Sequence, residues 1–262
     1  MVRNGCALCH FIMKRPTIIV PEHRTDVFAA LQADIMRLQG FTVKQNNAAD
    51  VGLGPLKEAF PQGAFPLGAV HEFLSTGAEE TSATAGFMAG MLSSLMGTKG
   101  TLLWVSSRRT LFPPALKAFG LAPDRFIFAD IQRERDVLWA MDEALKCGAL
   151  TAVVGEVHEL SFTASRRLQL AVEQSHVTGF VLRHSRGRGI NTTACVSRWR
   201  IAPLPGYIED DMPGLGFPQW NVELLKMRNG KTGSWNIVWK NGQFHTVSKS
   251  ITTLPLQKRK TG

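Results

Sequence analysis

Apolar positions recur along this chain in more than one rhythm. In "RTDVFAALQADIMRLQGF", Val27, Leu31, Ile35 and Leu38 fall at helical spacing, and Gly40 stops the helix. The following "NNAADVGLGPLKEAFPQGAFPLG" is rich in Gly, Pro, Asn and Ala, shows no period, and reads as a linker. From Phe65 onward the chain alternates. "AVHEFLS", "GTLLWVS", "RFIFAD", "LTAVVGEV" and "VTGFVLRH" are short apolar runs of the kind that buried parallel strands show. Between them lie helical stretches. "SATAGFMAGMLSSLMG" carries Phe87, Met88, Met91, Leu92, Leu95 and Met96 on its apolar side, and Gly97 ends it. "FPPALKAFG" is a short helix opened by prolines, and "ERDVLWAMDEALKCG" and "SFTASRRLQLAVEQS" are two more. This alternation predicts an α/β fold, a mostly parallel sheet flanked by helices.

The period then drops to two. "ACVSRWRI" sets Arg198 and Arg200 on one face, Trp199 and Ile201 on the other. "WNVELLKMRNGKTGSWNIVWK" reads as two strands joined by the polar loop "RNGKTG", with Trp235, Ile237 and Trp239 along one face of the second. Antiparallel strands are therefore expected to extend the parallel core. The expected organisation is an N-terminal extension with an amphipathic helix (1–45), a linker (46–64), a core (65–240) and a basic tail (241–262).

Composition changes this picture little. A chain of 262 residues, 44% apolar, can bury a sizeable core. It has no apolar run long enough for a membrane span. "MVRNGCALCHFIMKRP" lacks the long apolar stretch and cleavage site of a signal peptide, so a cytoplasmic protein without membrane contact is expected. Cys6, Cys9, Cys147 and Cys195 are scattered, as free thiols in a reducing compartment would be. "CALCH" (Cys6 to His10) matches a haem-attachment pattern, but that chemistry needs export, and a zinc site would need two further, well-spaced ligands. No metal or cofactor is expected.

Charge is more informative. The net charge is +9, and it is unevenly placed. Between Gln174 and Ile208 there is no acid, but there are Arg183, Arg186, Arg188, Arg198 and Arg200. After Leu224 there is again no acid, but eight Lys or Arg, among them Lys226, Arg228 and Lys231. Such asymmetry favours a polyanionic partner, nucleic acid first, against the plainer reading of solvated loop and tail charge.

One stretch has the shape of a phosphate-binding loop: the strand "AVHEFLS", a turn, and a helix start in "STGAEETS" (75–82). Set against G-x-x-x-x-G-K-[ST], Ser75 and Glu80 replace the glycines, Thr81 replaces the lysine, and Ser82 alone keeps its type. Gly77 lies inside the turn, and Glu79 and Glu80 stand where polyphosphate charge would sit, which is repulsive. "LTAVV" leads to Gly155 and then Glu156, where a magnesium-supporting aspartate is needed. "TLLWVS" leads into "SRRT", with Arg108 and Arg109 where a carboxylate would polarise water. ATP binding and ATPase activity are therefore not expected.

The order "FPLGAVHEFLSTGAEETSA", "TLLWVS", "ALTAVVGEV" and "VTGFVLRHSR" resembles the RecA-type ATPase core. "FPLGAVHEFL", "SRWRIAPLP" and "WNVELLKMRNGKTGSWNIVW" resemble the ImuA family, the RecA-like proteins of bacterial mutagenesis cassettes. The resemblance implies a RecA-like core without working ATPase motifs and a role in damage-induced, error-prone translesion synthesis. The implied partners are an ImuB-like inactive Y-family polymerase relative, an error-prone DNA polymerase and RecA. It also implies that "KMR" (Lys226, Arg228) stands where a Lys-x-Lys element of RecA-type proteins reaches the next subunit's nucleotide. "SRGRGINTTA", with Arg186 and Arg188, stands at a DNA-binding loop, so weak, sequence-independent DNA contact is expected. A SulA-like cell-division inhibitor and an atypical ATPase, the latter resting on Ser82 and Glu156, are the alternatives.

Overall fold

The computed structural model describes Val27, Leu31 and residues 52–108, 111–185, 191–208 and 216–247. The chain divides into two units, Met1–Thr42 and Val43–Gly262. In the first, Val27 and Leu31 are helical, and its other residues, Cys6, Cys9 and His10 included, lie outside the described residues.

In the second unit the predicted alternation is realised. β1 (Val70–Ser75) leads to α1 (Ala78–Met96), β2 (Leu102–Ser106), a 3-10 segment (Pro113–Phe119) and β3 (Phe126–Asp130). Then come α2 (Glu134–Leu145), β4 (Ala152–Val157), α3 (Phe162–Ser175) and β5 (Thr178–His184). β6 (Ser197–Tyr207), β7 (Phe217–Met227), β8 (Gly233–Lys240) and β9 (Gln243–Thr246) complete a nine-stranded sheet of order β3-β2-β4-β5-β1-β6-β7-β8-β9. Pairing is parallel from β3 to β6 and antiparallel from β6 to β9. The α/β expectation holds, antiparallel C-terminal strands included. Among the described residues no helix is long and apolar enough to cross a membrane.

The sheet has two differently built faces. α2 and α3 cover one, over an aliphatic core that includes Val105, Val137, Met141, Val153, Leu168 and Val181. α3 starts cleanly because Ser161 Oγ accepts from Ala164 N at 3.1 Å. α1 covers the other face over aromatic rings. Phe73 stacks on Trp199 at 5.8 Å and 7°, and Phe87 meets Trp199, Trp220 and Phe244. The helix can approach this closely because residue 90 is glycine: a Cβ there would stand 2.6 Å from Phe244 Cζ and 3.0 Å from Trp239 Cζ3. His71 also lies on the aromatic side, stacked on Phe65 at 4.3 Å and bonded to Ser197 Oγ and Pro66 O. Full burial pushes its pKa down to about 4, outweighing the opposing Pro66 bond.

Residues in two of the expected flanking segments pack onto the sheet. The described part of the 46–64 linker folds into 3-10 turns, Gly54–Ala59 and Pro61–Gly63, with Leu53, Leu56, Ala59 and Phe60 buried. Phe60 sits 6.0 Å from the Trp199 ring, and Ala59 O accepts from Lys231 N. The Gly and Pro content that suggested a linker serves these turns. The expected tail likewise contributes β9, whose Phe244 is buried; residues 248–262 lie outside the described ones.

β6 and β7 pair with a bulge. Arg198 faces Lys226 and Trp199 faces Leu224, so Leu225 is the extra residue, left 39% exposed. On the far side of β7 and β8 from α1, Asn221 donates to Ser234 Oγ and Asn236 Oδ1, and this surface is polar.

Candidate functional site

The turn between β1 and α1 keeps its shape, and its polar groups satisfy one another. Gly77 precedes α1, and Glu79 and Glu80 occupy the first turn, where the helix dipole favours negative charge. Glu80 Oε2 accepts from Thr76 N at 2.7 Å and from Thr76 Oγ1 at 2.8 Å. The carboxylate thus takes an amide that a phosphate oxygen would otherwise claim. Thr81, at the lysine position, places Oγ1 2.8 Å from Gly77 O and 3.1 Å from Ser75 Oγ.

From Ser75 a polar chain crosses the C-terminal ends of the strands. Ser75 Oγ lies 3.0 Å from His184 Nδ1, and His184 Nε2 lies 3.1 Å from Glu156 Oε2. Glu156 Oε1 accepts from Trp104 Nε1 at 2.6 Å. Residues of α1, β1, β5, β4 and β2 are thereby tied together. The sequence of hydroxyl, imidazole and carboxylate is that of a nucleophilic triad. Ser75, however, is only 3% exposed and also bonded by Thr81, so the arrangement ties elements together more than it presents a nucleophile. The cavity over it holds about 400 Å³ and is also lined by Ser82, Arg108 and His158. Arg109 lies outside the described residues. His158 pairs with Glu134 at 3.4 Å and meets His184 edge-on at 6.0 Å.

The expected DNA- or partner-contacting cations separate into groups. Glu72 is fully buried, and its carboxylate accepts from Arg183 Nη1 (3.3 Å), Arg198 Nε (2.8 Å) and Thr193 Oγ1 (2.8 Å). Arg183 also donates to Asn191 Oδ1 and His158 O, and Arg198 to Asn191 O. These two arginines hold a buried charge in place; removing one partner of such a cluster costs on the order of 3–5 kcal/mol. Arg200 stands 3.8 Å from Glu223, a loose pair, each about one-third exposed. Lys226 Nζ donates to Thr193 O at 2.9 Å, and Arg228 Nη2 to Ala194 O at 3.0 Å. Partial burial lowers the Lys226 pKa, and the neighbouring Arg198 and Arg228 charges act in the same direction. Lys231 is exposed in the β7–β8 loop. Arg200 and Lys226 pair across β6–β7 with residues of the polar surface, so the structure brings both to that side. Arg186 and Arg188 lie outside the described residues.

Sequence reasoning did not foresee His184 or Trp104. Each was visible only as the end, or an interior position, of an apolar strand. Among the described residues no group of three or more His, Cys, Asp or Glu could hold a metal ion. Cys147 and Cys195 are free, and burial together with the Glu72 charge pushes the Cys195 thiol up to about 12.

No family model matches the chain. It is 37% identical over 188 aligned positions, 67% of this chain and 77% of that protein, to Protein ImuA of Caulobacter vibrioides strain NA1000 / CB15N. The same figures hold for Protein ImuA of strain ATCC 19089 / CIP 103742 / CB 15. The chain belongs to the ImuA family. The degenerate turn 75–82 and the strands that carry Arg198, Arg200, Lys226 and Arg228 are therefore those of an ImuA-family protein. Among solved structures, SulA from Pseudomonas aeruginosa is similar over 44% of this chain and 97% of its own, at 20% identity and a TM-score of 0.39.

Proposed function

We propose that this ImuA-family protein is a non-enzymatic adaptor in damage-induced, error-prone translesion DNA synthesis. It links an ImuB-like inactive polymerase relative, an error-prone DNA polymerase and RecA, with weak, sequence-independent DNA contact. The observation that carries the non-enzymatic part is at the turn: Glu80 takes the Thr76 amide, and Thr81 and Ser75 are bonded among themselves and to His184. A polyphosphate would have to displace an internal carboxylate and bring its own charge beside Glu79 and Glu80. Family membership supports the mutagenic setting. The net charge of +9, with Arg200, Lys226, Arg228 and Lys231 towards the C-terminal side, supports contact with a polyanion.

Two measurements test the reading. Equilibrium binding of labelled ATP, with and without magnesium, is expected to show no saturable site; a magnesium-dependent constant in the micromolar range would overturn the pseudo-ATPase part. Co-purification from DNA-damaged cells is expected to bring down the polymerase-like partner, and its absence would overturn the adaptor part.

A further inference from the structure

Beside the cavity over the vestigial turn, the described residues form a second and larger one. It is an open groove of about 1000 Å³ between α1, the 111–119 segment and the β6–β7 strands. Its floor is the small-residue side of α1, with Ala85, Gly86 and Ala89. Gly86 keeps it open: a Cβ there would stand 3.2 Å from Trp220 Cζ2 and 3.4 Å from Phe119 Cζ. Phe119 stacks on the buried Trp220 with ring centroids 6.4 Å apart, so the two rings form one apolar wall, and the rim residue Phe112 is 68% exposed. What sets Phe112 apart is its place: it extends the apolar lining of the groove into one contiguous apolar surface, the kind of patch that marks an interaction site.

Size and charge indicate what fits. Small-molecule sites run to about 1000 Å³ and enclose most of their ligand. This groove reaches that limit, stays open, and joins the polar cavity through Ala78, Thr81, Ser82 and Glu156. The combined trough suits a stretch of polypeptide. The charged side chains in its described lining are Glu79 and Glu156, both acidic, on a protein whose net charge is +9. Glu156 is already engaged by Trp104 and His184, whereas Glu79 is exposed at the mouth.

We propose that this groove is a docking site for a short segment of a partner protein, one that sets apolar or aromatic anchors against Phe112, Phe119 and Trp220 and a Lys or Arg beside Glu79. The proposal rests on the adaptor reading for the existence of such a partner, and it adds the surface used and the chemistry recognised. Helix-in-groove and extended-peptide recognition both work through a few anchors in an apolar trough, with charge setting register.

The test uses the full chain, immobilised and panned with a displayed library of random twelve-residue peptides. Selected peptides are expected to combine at least two apolar anchors with a Lys or Arg. By fluorescence anisotropy they should bind with constants on the order of micromolar. Phe112→Ser and Glu79→Lys should each weaken binding by about tenfold or more, while the thermal midpoint stays within a few degrees of the parent. Replacing the peptide's basic residue by Glu should recover binding to Glu79→Lys and to no other form. The proposal is overturned if no peptide is enriched over scrambled controls, or if enriched peptides bind both variants as tightly as the parent. Displacement by the synthetic peptide of residues 248–262 would assign the groove to this chain's own tail. Phe112-dependent self-association would assign it to a second copy. Either outcome overturns the partner assignment. If peptides are selected but no polymerase-like partner co-purifies, the adaptor reading fails and the groove stands. If that partner co-purifies equally with Phe112→Ser, the groove fails and the adaptor reading stands.

Discussion

The two faces of the sheet are covered by different means. On one, two helices press branched and straight aliphatic chains onto β2, β4 and β5. On the other, a single helix with a glycine at its closest approach spans a broader field of rings, and a groove remains beside it. Aliphatic side chains fill space by interdigitating, so that face closes on itself. Rings meet at discrete angles and fill space in larger units. One helix does not cover them all: Phe60 and Phe119 from flanking turns also pack against these rings, and a groove remains beside them. Both faces supply stability, and they differ in how their side chains fill space.

The sharpest way to break this comparison is to empty the centre of the aromatic face. Trp199 is fully buried, between Phe60, Phe73 and Phe87. Trp199→Ala is expected to cost about 3–5 kcal/mol, read by urea or guanidinium unfolding; a loss under about 1 kcal/mol would show that this face carries little of the stability.

A second effect depends on pH. His71 is held neutral on the aromatic face with a pKa of about 4, against 6.5 in the unfolded chain. Below pH 6.5 the unfolded state takes up a proton that the folded state refuses until about pH 4, so stability falls as pH drops through that window. Between pH 7 and pH 5 the loss is expected to be about 2 kcal/mol, and His71→Gln should lose that part of the slope. An unchanged slope in the variant would remove His71 from the account.

The same small change on each face gives a finer comparison. Gly90→Ala drives a Cβ into the rings of Phe244 and Trp239, and is expected to cost about 1–3 kcal/mol despite alanine's better helix propensity. Gly155→Ala on β4 meets Met141 Sδ at 2.7 Å, but a thioether can swing aside, so a loss below about 1 kcal/mol is expected. Equal losses, measured by denaturant midpoint, would erase the distinction between ringed and aliphatic packing. The smallest effect belongs to Phe112→Ser, within about 0.5 kcal/mol of the parent in the same assay, because its ring is already in water.

The order of strands and helices was legible because runs of apolar residues change period where the strands change from parallel to antiparallel, at β6. The packed segment 52–64 was not, since Gly54, Pro61 and Gly63 look like a linker until Leu56 and Phe60 are seen beneath β9 and beside Trp199. The charge asymmetry was legible, but its use was not. Arg198 alternates with Trp199 like a solvent-facing residue, yet its guanidinium closes on Glu72, 126 positions away. Nothing local to "SRWRI" announces that partner. His184 was hidden for the same reason, its two ring bonds running to Ser75 and Glu156 on other strands. Pattern reveals the side of a strand that a residue occupies, whereas pairing between distant strands decides what it meets there.

The bulge at Leu225 sets the parity of the C-terminal strands. Val222, Leu224 and Lys226 are separated by even steps, so unbroken alternation would carry the Lys226 ammonium under Trp199 with the other two. The inserted residue reverses the phase, and Lys226 emerges opposite Arg198 instead. Position 225 should therefore tolerate many side chains, and even its deletion should leave Lys226 opposite Arg198, one step after the inward Leu224: the bulge is where the strand absorbs an extra residue while its positive charge keeps to the outer side.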